Sequence, residues 1–241
     1  MVKASFTFIA VAALAVFSAL APQEVEAHSW LDCVDWRWKK SSGKNKDWRS
    51  TSGFCKGYAR RYPVNNKRVG KFGLLDNTEW ARHYRQNLRK DTLPCSDSKH
   101  GLEKGIVETR DIKGSYGGKW GPMTVTKSGG ELCVRWPAKN HAASNEDNTI
   151  VKIALAEKPG NDPSQKQLDK MIIAELKYKN CNKDGDSGKR DENTRPCGGC
   201  FKIPKRRPGV YLLQFRWRLN KGRKSALDDE IYTSCADIQI K

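Results

Sequence analysis

The sequence predicts a mostly β protein: an immunoglobulin-like antiparallel β-sandwich with long loops and a short helix, cross-linked by disulfides. Short apolar or alternating runs recur between turn residues, which is typical of sandwiches. The clearest run is 210–219, where Leu213, Phe215 and Trp217 fall on one face of a strand and the intervening polar residues fall on the other. An even set of 8 cysteines supplies enough sulfur for four cross-links.

The individual elements follow from these runs and their turn signals. The strands are expected at 123–127, 131–136, 150–156, 171–177, 210–219 and 236–240. The Lys127-Ser-Gly-Gly130 step indicates a hairpin turn. One helix is expected from Asp76 to about Lys90, and a shorter one from Ser164 to Lys170 after Asn161-Asp-Pro163. Long loops are expected at 39–53 and 182–196, where function usually lies.

The first 27 residues are predicted to be a secretory signal peptide. Lys3 precedes an apolar run, and Val25-Glu-Ala27 forms an A-x-A-like cleavage site. The run is too short for a membrane span of about 20 residues. The remaining segment, 28–241, has the size of a single domain, and we expect it to be secreted and extracellular.

The charge is strongly basic, with a formal net charge of +18 at pH 7. The predicted leader contains one lysine and two glutamates, so its removal makes the chain one unit more positive. Such a surface attracts polyanions. For a secreted protein the candidates are acidic glycans, anionic surfaces and nucleic acid, and nucleic acid is disfavoured because no recognition motif accompanies the charge. We expect an acidic polysaccharide as partner, with no nucleic acid and no membrane. We expect a monomer.

All of the cysteines lie beyond the predicted leader. In an exported chain they predict four disulfides, although eight cysteines allow 105 pairings and the sequence does not choose among them. The Cys197-Gly-Gly-Cys200 turn is compatible with a redox or zinc motif. No second Cys-x-x-Cys completes a zinc site, so a structural disulfide role is favoured.

Cleavage after Ala27 would make His28 the first residue. An N-terminal histidine offers its α-amine and its ring Nδ1 at chelating distance, and the ordinary amine pKa of about 7.7–8.0 lets a metal displace the proton near neutral pH. One more imidazole completes a planar set of three nitrogens, which favours Cu(II). Of the other histidines, His83 falls in the basic predicted helix and His100 in a polar loop, so His141, which follows a strand, is the preferred second ligand.

Three further motifs carry a resemblance to a known family. They are Leu132-Cys-Val-Arg-Trp-Pro-Ala-Lys-Asn-His141, Gly209-Val-Tyr-Leu-Leu-Gln-Phe-Arg-Trp-Arg218 and Glu230-Ile-Tyr-Thr-Ser-Cys-Ala-Asp-Ile238. With a leader that ends before His28, the chain resembles the lytic polysaccharide monooxygenases over nearly its whole mature length. The resemblance implies a histidine brace in which His28 and His141 hold one copper ion and Tyr232 is the axial neighbour. The alternative for Tyr232 is a packed core aromatic beside a disulfide.

The resemblance implies two more supporting residues. Glu230 takes the position from which relatives hydrogen-bond the oxygen species, and Gln214 takes that of a supporting polar group. For Glu230 the alternative is a solvated end of the acidic run Asp228-Asp-Glu230. Such groups around the ligands tune a metal site.

The start His28-Ser-Trp-Leu-Asp-Cys33, the cysteine count and the basic charge are most similar to the pectin-active oomycete group of this class, auxiliary-activity family seventeen. That resemblance implies cleavage of homogalacturonan, whose carboxylates can pair with basic side chains. The candidate contacts, each of which is also compatible with an ordinary solvated charge, are Arg37, Lys39, Lys40, Lys44, Lys46 and Lys139.

The implied chemistry uses copper cycling between Cu(II) and Cu(I), an external electron donor, and hydrogen peroxide or dioxygen as co-substrate. Hydrolase machinery is not expected, and the sequence has neither a nucleophile elbow nor a convincing pair of catalytic carboxylates. Two alternatives stay open. One is a chitin- or cellulose-active enzyme of the same class, and the other is a non-catalytic secreted protein that binds copper or polyanions.

Overall fold

The structure, a computed structural model, describes residues 29–39, 47–49, 51–64, 68–69, 74–75, 94–95, 111–137, 149–178, 181, 196–219 and 230–241. The predicted leader, the predicted helix 76–90 and most of the two predicted long loops lie outside these ranges. Within the described ranges, no helix is both long and apolar enough to cross a membrane.

Eleven strands and two short helices make up the described elements, so the chain is mostly β, as the sequence predicts. The strands are β1 Trp36–Trp38, β2 Gly53–Cys55, β3 Arg68–Val69, β4 Leu74–Leu75, β5 Thr124–Thr126, β6 Glu131–Pro137, β7 Ile150–Leu155, β8 Ile172–Lys177, β9 Pro196–Lys202, β10 Gly209–Leu219 and β11 Glu230–Ile240. The helices are α1 Ile112–Ser115 and α2 Gln165–Leu168.

The main layer is a five-stranded sheet in the order β5-β11-β10-β7-β8. Its neighbours are antiparallel except β5, which runs parallel to β11. The long β10–β11 pair brings Trp217 opposite Tyr232 and Gln214 opposite Cys235. Because side chains alternate along a strand, these two pairs project from opposite faces of the sheet.

The second layer is the antiparallel pair β6–β9. Its inward residues Leu132, Val134 and Trp136 are buried against Phe215 and Trp217 of the main sheet, in one apolar core. The other face of β6 carries Cys133 and Arg135. Two sheets that share one buried core form the expected sandwich.

A second apolar cluster lies on the opposite face of the main sheet, where Leu212 and Cys235 pack against Leu168 of α2. Ser164 begins α2 with a capping box, in which its hydroxyl accepts from the backbone N–H of Gln167. The predicted helix after Pro163 is therefore confirmed, although it is shorter than expected.

The four disulfides join Cys33 to Cys55, Cys95 to Cys235, Cys133 to Cys200 and Cys181 to Cys197. The structural role favoured for Cys197 and Cys200 is confirmed, but the predicted turn between them is wrong, because both lie within β9. Cys200 is the cross-strand partner of Cys133, whereas Cys197 reaches Cys181. Four disulfides are typical of a protein that matures in an oxidising compartment.

The predicted hairpin at Lys127–Gly130 needs a second correction. The turn exists, because Gly130 N–H donates to the Lys127 carbonyl at 2.9 Å and Gly129 has a φ of 73°. The strands on either side do not pair with each other, since β5 joins β11 and β6 joins β9. The turn therefore carries the chain from one layer of the sandwich to the other.

Candidate metal centre

The segment that follows His28 runs alongside β6 and is tied to it by backbone hydrogen bonds. The N–H groups of Asp32 and Cys33 donate to the Arg135 carbonyl at 2.9 and 3.1 Å, and Arg135 N–H donates to the Cys33 carbonyl at 2.9 Å. Cys33 and Arg135 form an antiparallel bridge. Moving back from Cys33 toward residue 29 therefore means moving toward Pro137, the last residue of β6.

A buried ion pair fixes the same segment through side chains. Arg135 Nε donates to Asp32 Oδ2 at 2.8 Å, and the Tyr62 hydroxyl donates to Asp32 Oδ1. Arg135 also donates to the Trp48 carbonyl at 3.0 Å, and its guanidinium lies 4.1 Å from the ring centroid of Trp36. Asp32 and Arg135 are both essentially inaccessible to solvent. A buried pair with this many partners holds one geometry, because loss of either partner leaves an unpaired charge.

Three segments meet at the end of β6. The Ser29 hydroxyl donates to the Pro137 carbonyl at 3.2 Å, and the Tyr178 hydroxyl donates to the same carbonyl at 3.3 Å. Two residues further along, Leu31 N–H donates to the Ser234 hydroxyl of β11 at 3.1 Å. Ser29 and Ser234 are buried. The beginning of the described chain, the end of β6 and the beginning of β11 therefore form one junction, here called the N-terminal junction.

A stack of buried aromatic rings lies beneath this junction. The Tyr232 ring is 5.2 Å from Trp217, and Trp217 is 3.7 Å from Tyr178 in a nearly parallel arrangement. Burial raises the pKa of the Tyr178 phenol above its ordinary value, and a smaller lowering comes from its hydrogen bond with Ser29. Tyr178 is therefore a neutral hydrogen-bonding phenol at this site and not a phenolate.

The predicted copper ligands His28 and His141 lie outside the described residues, as does Lys139. In the sequence, His28 directly precedes Ser29, and His141 follows Pro137 by four residues. Ser29 and Pro137 both belong to the N-terminal junction.

Tyr232 lies at the junction, since it is two residues before Ser234 on β11 and is buried with the core aromatics. Glu230 is the first residue of β11, paired in the strand register with Leu219 and two residues before Tyr232. The donor types expected from the sequence, two imidazoles and an amine, suit Cu(II). The described residues nearest in sequence to the two predicted histidine ligands, Ser29 and Pro137, meet at the junction that also includes Tyr232.

Gln214 does not lie with these residues. Its amide donates to the Pro94 carbonyl at 2.6 Å and to Gln165 Oε1 at 2.7 Å, on the face of the sheet that carries the Cys95–Cys235 disulfide. Tyr232 lies on the opposite face. Gln214 does not contact Tyr232, because strand alternation directs the two side chains to opposite faces of the sheet. A supporting role for Gln214 at the metal centre therefore stays a prediction.

Of the predicted substrate contacts near the N-terminus, the structure describes Arg37 and Lys39. Arg37 donates from Nη2 to the Glu131 carbonyl at 3.4 Å, and its Nε lies 2.6 Å from Asp35 Oδ1. Glu131 begins β6, so Arg37 lies at the strand end far from Pro137, about 20 Å away for six residue steps. Lys39 follows Arg37 and is exposed. Nearness in sequence to His28 therefore does not place these cations at the junction. Lys40, Lys44 and Lys46 lie outside the described residues.

Among the described residues, Glu131, Cys133 and Cys200 bring three atoms of metal-ligand type close together. The two sulfurs are bonded to each other, so neither is available as a thiolate. This group is therefore a disulfide beside a carboxylate and not a metal site.

Sequence reasoning missed three residues that build the junction: Ser29, Tyr178 and Ser234. Each acts through a hydroxyl whose partner is far away along the chain. The only available signal was that Ser29 directly follows the predicted ligand His28. Nothing in the pattern around Tyr178 or Ser234 indicates a distant backbone partner.

Comparisons with known proteins give structural likeness only. No family model matches the sequence, and no curated protein matches it. Solved structures with a similar fold include the cellulose-active, copper-bound lytic polysaccharide monooxygenase CelS2, at 20% identity over 50% of this chain and 54% of that chain, with a TM-score of 0.31. A lytic polysaccharide monooxygenase from Streptomyces lividans is similar at 14% identity over 67% of this chain and 84% of that one, with a TM-score of 0.39.

A third similar structure is a glycoside hydrolase family 61 member from Hypocrea jecorina, at 17% identity over 49% of this chain and 51% of that one, with a TM-score of 0.31. The matched region thus spans about half of the CelS2 and Hypocrea jecorina chains. With identities of 20% or less and TM-scores below 0.5, these likenesses assign neither a family nor an activity. The fold is a disulfide-linked β-sandwich, and its first described residues are tied to the end of β6 at the N-terminal junction.

Proposed function

We propose that this protein is a copper-dependent oxidoreductase that cleaves an acidic polysaccharide oxidatively, as the lytic polysaccharide monooxygenases do. His28, through its amine and ring, and His141 would hold the copper ion, and Tyr232 would lie beside it. The observation that carries the proposal is the hydrogen bond from Ser29 to the Pro137 carbonyl. It joins Ser29, the residue after His28, to the end of β6, four residues before His141 in the sequence.

Rigidity of the junction is the second support. A metal site needs ligands held within a fraction of an ångström, and ligand-bearing segments achieve this through the residues that hold them. The Asp32–Arg135 ion pair, the bond from Leu31 to Ser234 and the Cys33–Cys55 disulfide all restrain the segment that starts at Ser29. His28 is thereby tied to a fixed neighbour.

The chain's own residues have separable tasks in this proposal. Bound copper supplies one-electron chemistry with an oxygen co-substrate. The buried rings of Tyr232 and Trp217 pack behind the junction and exclude water there. Tyr178 stays protonated because burial raises its pKa, and it holds the Pro137 carbonyl together with Ser29. Glu230 is proposed to accept or donate a hydrogen bond at the open side.

The proposed substrate is a polyuronate such as homogalacturonan, as in the pectin-active group. The formal charge of +18 supports a polyanion over neutral cellulose or chitin. Each exposed pairing contributes only about 0–1 kcal/mol, so binding would depend on many contacts and would weaken with salt. Neutral polysaccharides are the second candidate, and their binding would tolerate salt.

The decisive experiment compares two forms of the secreted protein. One begins at His28, and the other has a single alanine added before His28, which converts the amine to an amide. Copper titration should give tight one-to-one binding for the first form and at least about a hundredfold weaker binding for the second, because one of three nitrogens is lost. Equal affinity would contradict the proposed ligand set.

Activity is tested with the same pair of proteins. The copper-loaded form that begins at His28 should release oxidised oligomers from polygalacturonate only when a reductant such as ascorbate is present. His141→Ala should abolish the products, whereas His100→Ala is the matched control and should retain them. Products that do not depend on reductant would point to hydrolysis. Copper binding without any products would support the alternative of a non-catalytic copper-binding protein.

A further inference from the structure

The end of the sandwich opposite the N-terminal junction is built around the turn Lys127–Gly130. Ile203 N–H donates to the Gly130 carbonyl at 2.7 Å, and Arg206 N–H donates to the Ser128 hydroxyl at 2.8 Å. Ser128 N–H in turn donates to the Lys241 carbonyl at 3.3 Å. One turn therefore gathers the loop that follows β9 and the residue that follows β11.

This end is densely basic. Lys127, Lys202, Lys205, Arg207 and Lys241 are exposed, and Arg206 is half-buried. In the described part of the chain, none of these cations forms an ion pair, although Glu131 lies opposite Lys202 on β6. We call the surface formed by these six side chains the distal basic surface: Lys127, Lys202, Lys205, Arg206, Arg207 and Lys241.

The backbone beneath these cations is held in place. Ile203 is 1% exposed and anchors the loop in the core. The Arg207 carbonyl accepts a hydrogen bond from the Tyr211 hydroxyl at 2.9 Å. Pro204 and Pro208 restrict the backbone on either side of Lys205–Arg207. The charges therefore extend from a fixed base, and a ligand would not have to order the loop.

Six cations on one fixed base repel one another, and the carboxylate of Glu131, opposite Lys202, offsets at most one of these charges. Such a surface is relieved by an external polyanion, whose approach it also accelerates. We propose that the distal basic surface is a second binding site, separate from the metal centre, for a linear polysaccharide that carries carboxylates. It would hold the protein on an acidic matrix while the other end acts.

The surface fits a glycan better than a membrane or a nucleic acid. Interfacial membrane binding uses apolar anchors, and single-stranded nucleic acids stack on exposed aromatic rings. The large apolar side chains exposed among the described residues are Phe54 and Val125, and neither belongs to the distal basic surface. Val125 lies two residues before Lys127, but no exposed aromatic ring among the described residues belongs to this surface, and its lysines and arginines suit the carboxylates and hydroxyls of a sugar chain.

Distance separates the two sites. Glu131, which pairs with Lys202, and Pro137, which accepts from Ser29, are the two ends of β6. Six residue steps along a strand span about 20 Å. The choice of a uronate polymer rests on the proposed function, whereas the existence of a second polyanion site rests on the unpaired charges alone.

The test is a binding measurement on metal-free protein with polygalacturonate as the probe. The variant K202Q/K205Q/R207Q removes three exposed charges from the distal basic surface. The control K113Q/K166Q/K170Q removes three exposed, unpaired charges elsewhere. At low salt, the first should weaken binding about tenfold, since three exposed pairs of roughly 0.5 kcal/mol are lost. The control should change it less than about twofold.

Several outcomes would overturn the proposal. Equal weakening by the two triple variants would mean that only net charge matters, and no weakening by K202Q/K205Q/R207Q would mean that the surface is not used. Loss of binding to phosphatidylserine vesicles or to single-stranded DNA, with polygalacturonate binding intact, would assign the surface to another class of partner. Unchanged thermal midpoints would show that both variants fold.

Copper and reductant are absent from this measurement, so the two proposals fail separately. A protein that binds polygalacturonate through the distal basic surface but releases no oxidised products would retain this inference and lose the proposed function. A protein that releases oxidised products but shows the same affinity in both triple variants would do the reverse.

Discussion

The two ends of β6 differ in the kind of interaction that each presents. At Pro137, hydroxyls of Ser29 and Tyr178 converge on one buried carbonyl above a stack of aromatic rings. At Glu131, the strand end lies beside the exposed cations of the distal basic surface, which form no ion pair with a described carboxylate. The first end fixes geometry and is insensitive to salt, whereas the second end provides charge and depends on salt.

One rigid scaffold can therefore hold buried groups in fixed positions at one end and attract a charged partner at the other. Buried hydrogen bonds hold groups in place because an unsatisfied polar atom is costly in a low-dielectric interior. Exposed charges act over distance but contribute little individually.

Asp32→Ala should cause the largest effect. It leaves the Arg135 guanidinium buried without its carboxylate, and breaking a buried pair costs about 3–5 kcal/mol in the free energy of unfolding. Urea unfolding monitored by tryptophan fluorescence measures the loss. The control is Glu175→Ala, which removes an exposed partner 3.9 Å from Lys152 and should cost at most about 1 kcal/mol. Similar losses in the two variants would contradict the contrast.

Gln214→Leu should cost about 1–3 kcal/mol, because the Pro94 carbonyl and the Gln165 amide lose buried hydrogen-bond partners. Its side chain lies on the face of the sheet opposite Tyr232, so the copper electron paramagnetic resonance spectrum should not change. A shifted spectrum in a folded variant would mean that Gln214 influences the metal centre.

Ser29→Ala should cost about 1 kcal/mol, since Tyr178 still satisfies the Pro137 carbonyl. The double variant S29A/Y178F should cost more than the sum of its single changes, because only then does that carbonyl lose both donors. Additive losses would mean that the two hydroxyls act independently. Thermal unfolding of the wild type, the two single variants and the double variant gives the double-mutant cycle.

Asp35→Asn should give the smallest effect, visible only as a pH dependence. Burial raises the pKa of Asp35 above its ordinary 3.8, despite lowering by Arg37 and Lys56. In the window just above that value, the folded state retains a proton that the unfolded state has lost, so this group's contribution to stability falls as pH rises. The wild-type stability minus that of the variant should therefore fall through this window. A difference independent of pH would contradict the raised pKa.

Much of the fold was predictable from local patterns. The alternation in 210–219 marked β10, and the Asn161-Asp-Pro163 signal marked the start of α2. The segment Cys197–Cys200 was misread as a turn because two glycines usually interrupt a strand. The structure shows why they occur there: a side chain at Gly198 would meet the Trp48 ring at 2.5 Å, and one at Gly199 would meet Leu176 at 2.8 Å.

The candidate site was predictable only in part. Sequence singled out Tyr232 from a motif and His28 from its leader, but it assigned Gln214 to the same centre and Arg37 to its edge. Strand alternation puts Gln214 on the far face, and the antiparallel course of the segment from Ser29 carries Arg37 away from Pro137. The Gln214 assignment followed a family resemblance and the Arg37 assignment followed closeness in sequence, and neither contains the strand register that decides these positions.

By itself, the sequence determined the β class, the strong positive charge and the supply of cysteines, because composition and alternation are local properties. Only the tertiary structure decided the disulfide pairing, the meeting of Ser29 with Pro137 and the gathering of six cations around one turn. Those contacts join residues that are far apart along the chain. Their formation depends on how the two sheets pack, which no short window of sequence contains.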